Sequence, residues 1–272
     1  MQSPCRFSKR MARCAPLTAL LGATLATAGS AAAGEELPQP DLTAEGHLVQ
    51  TGPLNVLPEA VSARVSDDRA TATVWGGYDG AKRAPLLTAT AEARVLGRLV
   101  LVAGAAYAEV PGDATMRPQV GLRAQLLDQG KHGLDGAVAL MYRQDLFANE
   151  EGFIQGAVAL ERRQGPVRVV GNLLYGQDGE GDDHDGEMRL AALLETRPGL
   201  LVGFDGRYRR DLASSDPNRV ARNRPTYELT AGPAVSYTRG SWAVMAETGL
   251  SAVRTATTRA GVVALAGLGS SF

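Results

Sequence analysis

The chain is poor in the residues that usually cross-link an exported protein or anchor it through a helix. Its 272 residues include two cysteines, Cys5 and Cys14, and both lie near the start. A fold built from later residues has no disulfide, so it needs another device, such as a closed hydrogen-bond ladder. Beyond the first 33 residues no stretch approaches the roughly 18 consecutive apolar residues of a membrane-spanning helix. This excludes a transmembrane helix there.

Lysine is scarce too, and the charge balance is acidic once the N-terminal segment is set aside. Arg6, Lys9, Arg10 and Arg13 lie within the first 13 positions, which hold no acid. Without these four bases the 28 lysines and arginines become 24 against 29 acids, a net charge of −5. That balance gives no basic footprint for nucleic acid, so we expect no nucleic-acid partner.

The N-terminal segment has the pattern of a secretory signal. The basic stretch precedes a run rich in Ala and Leu, which ends in Ala31, Ala32 and Ala33. Basic, apolar and then small residues predict a signal peptide over residues 1–33, cleaved before Gly34. An uncleaved anchor helix is the alternative. Residues 34–68 follow with four prolines and no sustained period. They read as a periplasmic extension or, alternatively, as a plug-like segment.

Residues 187–212 carry the clearest structural pattern. Met188, Leu190 and Leu194 alternate with charged residues, and the alternation resumes after Pro198 and Gly199. A period of two interrupted by a two-residue turn predicts an antiparallel hairpin, in which Glu187 on one arm faces Arg209 on the other. One face is apolar and the other is charged with both signs. Such a hairpin suits either a soluble sandwich or a membrane barrel whose charged face lines the lumen.

The same alternation recurs from residue 69 to the C-terminus. It predicts twelve strands, at residues 69–79, 84–96, 99–110, 116–128, 134–146, 153–164, 167–178, 186–197, 200–212, 226–239, 242–253 and 259–272. The third is apolar on both faces. Pro118 and Pro233 fall inside predicted strands, where they remove ladder donors, so we expect bulges or different boundaries there.

The connections alternate in length along the chain. Short turns such as Pro198-Gly199 alternate with longer links, including one predicted at residues 111–115. Tyrosines fall toward strand ends beside the long links. A strand of about eleven residues, rising about 3.3 Å per residue and tilted about 45°, spans roughly 25 Å, the height of a barrel's apolar band. The pattern predicts an all-β, antiparallel up-and-down transmembrane barrel of about twelve strands over residues 69–272.

The last strand ends with Leu268, Ser270 and Phe272, in phase with the outward residues Val262, Ala264 and Ala266. Together with the signal sequence, this resembles the Gram-negative outer-membrane β-barrel class, in no particular family. The resemblance implies export to the bacterial outer membrane, with lipid and lipopolysaccharide as surroundings. It also implies that Phe272 serves as the signal read by the barrel-assembly machinery.

The polar faces of the predicted strands place ten acids and ten arginines in the interior. Equal signs argue against strong ion selectivity and permit either a charged channel or a network of Arg–carboxylate pairs that closes the lumen. The residues that we expect to line the lumen are Glu92, Arg94, Arg117, Arg123, Arg143, Asp145, Glu161, Arg168, Glu187, Arg189, Glu195, Asp205, Arg207, Arg209, Glu228 and Glu247.

Three functions fit this sequence. The leading hypothesis is a passive channel or transporter for small solutes, and the second is a non-conducting structural or surface-interaction barrel. The third is an outer-membrane hydrolase near His184, because Asp182-Asp183-His184-Asp185 resembles half of an omptin protease site. A second acidic pair is not apparent, so we predict no catalytic residues and no enzyme. The same acidic loop is a weak cation candidate. We predict neither a metal nor a cofactor.

Overall fold

The computed structural model describes residues 60–110, 113–144, 152–179, 184–212 and 225–272. Residues 1–33 and 34–59 of the predicted signal and extension lie outside these ranges. In the described part, no helix is long and apolar enough to cross a membrane. The strands are β1 Ala70–Asp79, β2 Ala84–Leu96, β3 Leu99–Val110, β4 Asp113–Leu127, β5 Asp135–Gln144, β6 Gly152–Gln164, β7 Val167–Asp178, β8 His184–Arg197, β9 Leu200–Asp211, β10 Tyr227–Arg239, β11 Trp242–Arg254 and β12 Thr258–Ser271.

The twelve strands form one closed antiparallel barrel, which confirms the predicted fold class. Each strand pairs with its neighbours in sequence, and β12 closes the sheet by pairing with β1 from Thr71–Ser271 to Asp79–Val263. Phe272 continues this seam, because its amide donates to the carbonyl of Ala70 at 2.8 Å. Closure pairs the edges that an open sheet would expose, and it provides the stabilising device that replaces disulfides.

Alternation of side chains along each strand separates an apolar exterior from a polar interior. On β5, Val138, Leu140 and Tyr142 are exposed, whereas Asp135 and Ala137 are buried. On β9, Val202 and Phe204 face outward, whereas Asp205 is fully buried. An exterior of exposed Leu, Val, Ile and Tyr on every strand has the composition of a surface in contact with lipid.

The start of β1 and the end of β12 lie on the same side of the barrel, and all five turns on that side contain a glycine with a left-handed backbone. These glycines are Gly97, Gly133, Gly165, Gly199 and Gly240, with φ between 52° and 77°. We call this side of the barrel the terminal end and the opposite side the loop end. The β4–β5 turn also holds one helical turn, α1 (Gln129–His132), whose first amides are capped by Asp128. The alternating pattern of the sequence does not predict this helical turn.

Two details of the strands differ from the prediction. β4 begins at Asp113, so residues 111 and 112 alone separate it from β3 and the long link predicted at 111–115 is wrong. The bulges expected at the prolines are also wrong. Pro118 pairs with Ala105, and Pro233 pairs with Phe204, without a shift in register. Both prolines lie on the exposed face. The register shifts occur at the terminal ends of β2, β4 and β8 instead.

Candidate functional site

Residues 60–68, the inner segment, lie inside the barrel before β1 begins. Ser62 and Ala63 are buried, at 1% and 0% exposure, and Val65 is 8% exposed. The amide of Val61 donates to Oδ1 of Asn172 at 2.8 Å, and Nδ2 of Asn172 donates back to the carbonyl of Val61 at 2.8 Å. Asn172 lies near the middle of β7. The inner segment therefore reaches from the terminal end to the middle of the lumen.

Two inward-facing ion pairs hold the inner segment. Glu161 accepts from the Ser62 hydroxyl at 2.6 Å and the Ala63 amide at 3.2 Å, while Nε of Arg168 donates to its other oxygen at 2.8 Å. Arg123 donates to the carbonyls of Ser62 and Arg64 at 2.7 and 3.0 Å, and it also pairs with Glu92. Charge-assisted hydrogen bonds of this kind are stronger than neutral ones. Arg123 and Glu161 thus bind the inner segment directly, and Glu92 and Arg168 balance their buried charges.

Apolar contacts complete the filling of the terminal half. Val65 packs against Val100 and Val102 of β3, and Ala63 packs against Ala137 and Ala159. Ala60 belongs to a larger cluster on the opposite wall, formed by Trp75, Val170, Ala191, Leu193, Leu201, Ala234, Ala243 and Met245. The inner face of β3 is therefore apolar because it contacts the inner segment. This explains why its sequence shows no polar side.

Above the inner segment the lumen holds a cavity of about 390 Å³. Ala60 and Val61 lie at one limit of this cavity, and Asp79, Lys82 and Arg209 mark the other limit near the loop end. The charged residues of its lining are mostly basic: Lys82, Arg117, Arg123, Arg143, Arg189, Arg207 and Arg209, against Asp79, Glu92 and Glu228. Seven bases against three acids give this surface a formal charge of +4.

Five of these bases lie near the loop end, and each shares a carboxylate with another of them. We call them the basic cluster, which consists of Lys82, Arg143, Arg189, Arg207 and Arg209. Asp185 accepts from Arg143 at 3.4 Å and pairs with Arg209. Glu187 pairs with Arg189 and lies 3.1 Å from Nε of Arg207. Glu228 accepts from Lys82 at 2.8 Å and lies 3.4 Å from Arg207. Three carboxylates are therefore shared by five cations.

The β1–β2 connection brings Lys82 to this group. Oδ1 of Asp79 accepts from the amides of Ala81 and Lys82 at 2.9 and 3.2 Å and from the Ser251 hydroxyl at 2.6 Å. An Asp that receives hydrogen bonds from the next amides stabilises a tight turn. The turn folds inward, leaves Ala81 2% exposed and directs Nζ of Lys82 toward β10.

The residues expected in the lumen fall into separate groups. The structure places Glu92, Arg123, Glu161 and Arg168 around the inner segment, and Arg143, Glu187, Arg189, Arg207, Arg209 and Glu228 around the basic cluster. Arg117 lies on the cavity wall. Glu187 is opposite Arg209 in the β8–β9 register, as the hairpin predicted, although Arg209 pairs with Asp185.

The other expected residues have different surroundings. Arg94 donates to the carbonyl of Ser66, and Glu195 accepts from the amide of Gly199 at 3.0 Å and so stabilises its own hairpin turn. Asp205 and Glu247 are buried in the wall, at 0% and 3% exposure. Asp145 lies outside the described residues, and Phe272 is exposed at the terminal end.

Some residues of the site were absent from the expected set. Lys82 and Asp185 were assigned to links, and the Asp79-Gly80 pair that turns Lys82 inward was the available signal. Ser62 and Arg64 belong to a segment with no period, so nothing in their spacing marks them. Asp182 and Asp183 of the acidic loop lie outside the described residues, and His184 lies 6.4 Å from the Tyr175 ring, centroid to centroid. Among the described residues no group of three or more His, Cys, Asp or Glu is placed to bind a metal.

Comparison with solved structures shows which known barrels share this fold. No family model and no curated protein matches the chain. Among solved structures it is similar to the porin NanC, at a TM-score of 0.52 and 10% identity over 74% of this chain and 98% of the other. This chain has the fold of the outer-membrane β-barrels.

Two further solved structures match with lower scores. A bacterial polysaccharide outer-membrane secretin matches at a TM-score of 0.43 and 9% identity, over 76% of this chain and 100% of the other. The outer-membrane channel DcaP of Acinetobacter baumannii matches at 0.43 and 10%, over 82% and 70%. The likeness to NanC shows the shared fold alone.

Proposed function

We propose that this outer-membrane barrel is a channel for small solutes whose lumen is closed at rest by the inner segment. One observation carries the proposal: the inner segment is held by barrel side chains and not by the barrel's own ladder. The bonds of Val61, Ser62, Ala63 and Val65 to the wall all use side chains, those of Asn172, Glu161 and Gln125. The segment can therefore leave without breaking a strand pair. The cavity above it supplies the other half of a path.

Export and assembly form part of the same proposal. Residues 1–33 act as a cleaved signal peptide, residues 34–68 form a periplasmic segment whose last part enters the barrel, and Phe272 is read by the barrel-assembly machinery. Lipid contacts the exterior, and lipopolysaccharide contacts the loop end. Sequencing the N-terminus of the membrane-extracted chain tests the cleavage, and Gly34 is the expected first residue.

A planar bilayer experiment tests the channel. Two cysteines introduced by Ala63→Cys and Ala137→Cys join positions that pack together, and the described residues contain no other cysteine. We expect the full-length mature chain to conduct in bursts, the oxidised double variant to be silent, and a reducing agent to restore the current. The two single-cysteine variants serve as controls and should conduct in both redox states.

A second function is supported by the near-complete burial of Ser62 and Ala63, which suits a permanently sealed, non-conducting barrel. In that case the full-length mature chain gives no current, and the double-cysteine variant gives none whether it is oxidised or reduced. A variant with a loosened inner segment, Arg123→Gln with Glu161→Gln, would remain silent as well. The hydrolase remains a third hypothesis, and it requires that the chain hydrolyse lipid or peptide and that His184→Ala abolish this activity.

A further inference from the structure

We propose that the cavity beside the basic cluster binds a small organic anion through a carboxylate or phosphate group. The proposal deepens the channel function by naming the class of solute, and it rests on that function for its biological meaning. The site consists of Lys82, Arg143, Arg189, Arg207 and Arg209 on the cavity wall.

The charges are layered, with cations nearest the cavity. The side chains of the five bases are 16–27% exposed, whereas those of Asp185, Glu187 and Glu228 are 8%, 1% and 7% exposed. Asp185 and Glu187 do not contribute to the cavity lining, although the five bases do. A solute in the cavity therefore meets guanidinium and ammonium groups first, with most of the carboxylate charge behind them.

The number of charges leaves the group positive. Five bases against the three carboxylates that contact them, together with Asp79 beside Lys82, give a formal charge of +1. Arg189 and Arg207 also lie directly opposite each other on β8 and β9, and like charges in that position destabilise a sheet. Glu187 offsets part of this repulsion, and an anion in the cavity would add to that counter-charge. Guanidinium groups suit the role because their planar fork bonds both oxygens of a carboxylate or phosphate.

The space beside the cluster suits a small organic molecule. The cavity volume of about 390 Å³ lies within the roughly 300–1,000 Å³ typical of small-molecule pockets. Ala60, Val61 and Trp75 give the cavity an apolar part away from the basic cluster. A solute with an anionic group and a less polar body therefore fits both regions.

Calorimetric titration of the purified full chain in detergent tests the site without requiring conduction. The probes are glucuronate, glucose and inorganic phosphate, since glucuronate differs from glucose by one carboxylate. We expect glucuronate and phosphate to bind at least about tenfold more tightly than glucose, because hydrogen bonds between two charged groups are stronger than those to a neutral hydroxyl. Added sodium chloride should weaken the binding of both anions and leave the binding of glucose unchanged.

A matched pair of variants locates the binding. Arg207→Gln removes a cavity guanidinium, and we expect it to lower glucuronate affinity about tenfold. Arg210→Gln serves as the control, because Arg210 lies on the same strand and on the exposed face. It should bind like the unmodified chain. Circular dichroism checks that each variant is folded, and Lys82→Gln replaces Arg207→Gln if the latter fails to fold.

The outcomes separate the two proposals. Equal affinity for glucose and glucuronate, or equal losses in the Arg207 and Arg210 variants, overturns the anion site. Selective anion binding by a chain that never conducts supports the site and overturns the channel. Conduction without selective binding supports the channel and overturns the site.

Discussion

Arg189 and Arg207 lie directly opposite each other on β8 and β9, and both approach the same carboxylate oxygen of Glu187. Two like charges in register need a shared counter-ion, and Glu187, at 4% exposure, supplies it from within the wall. Arg189, Arg207 and Glu187 therefore stabilise the β8–β9 hairpin together, and Arg207 has a further counter-ion in Glu228. Removing any one of them alters the other two.

Glu187→Gln should destabilise the barrel more than a comparable change elsewhere on β8. The amide leaves two half-buried guanidinium groups without their shared charge, and breaking such a buried pair costs about 3 kcal/mol. Glu195→Gln is the matched control. Glu195 accepts one hydrogen bond from a turn amide, so its loss should cost less than about 1.5 kcal/mol. Thermal unfolding in detergent, followed by circular dichroism, measures both. Equal shifts in Tm would contradict the shared role of Glu187.

Glu161 should control access to the inner segment. In a Ser62→Cys chain the new thiol is buried, so a soluble maleimide should label it slowly. Adding Glu161→Gln removes the charge that pairs with Arg168 and accepts from the Ala63 amide. We expect labelling to accelerate at least about tenfold, the factor that corresponds to 1.4 kcal/mol.

Asp128→Asn provides the control for that experiment, because it weakens a pair with the exposed Arg98 at the terminal end, away from Ser62. Its labelling rate should match that of the parent chain. Fast labelling of the parent would show that residues 60–66 are not held as described.

Two turn glycines should respond unequally to alanine. Both Gly199 and Gly165 have positive φ, 77° and 56°, and a non-glycine residue there costs about 1–2 kcal/mol. A Cβ on Gly199 would also lie 2.3 Å from the carbonyl oxygen of Thr238, whereas a Cβ on Gly165 meets no atom within 4 Å. We expect Gly199→Ala to lower the Tm further than Gly165→Ala. A smaller effect at Gly199 would mean that the turn relaxes away from β10.

Lipid contact can be tested with two leucines of equal exposure. Leu140, in the middle of β5, and Leu126, at the terminal end of β4, are both 61% exposed. An arginine facing lipid costs about 2–4 kcal/mol near the bilayer midplane and about 0–1 near the interface. Leu140→Arg should therefore reduce the free energy of unfolding in lipid vesicles more than Leu126→Arg does. Similar losses would indicate that water, and not hydrocarbon, surrounds the barrel.

The strands were predictable because outward-facing apolar residues alternate with inward-facing residues along each strand. Val138, Leu140 and Tyr142 alternate with inward residues on β5, and the predicted and observed bounds of most strands agree within about two residues. Pro118 and Pro233 misled the prediction because a ladder can pass a missing donor without changing register. The helical turn at Gln129 was missed because four residues carry no periodicity.

The filling of the lumen was harder to predict, since the inner segment has no period and its partners are distant in sequence. Ser62 bonds to Glu161 across 99 positions. One signal was present, however: Val100 and Val102 gave β3 an apolar face on the side where water would be expected. The excess of basic residues on the cavity wall could not be predicted from the sequence either. A count of equal signs cannot show that carboxylates lie behind the arginines.

The seam between the first and last strands has a consequence for the order of assembly. Asp68 lies two residues before the start of β1, and β1 obtains its second neighbour only when β12 arrives at the end of the chain. Until then the sheet is open between β1 and β12, and the residues before β1 can reach β4, β6 and β7 through that opening. Once the seam is joined, those residues can enter or leave only lengthwise, through a mouth of the ring.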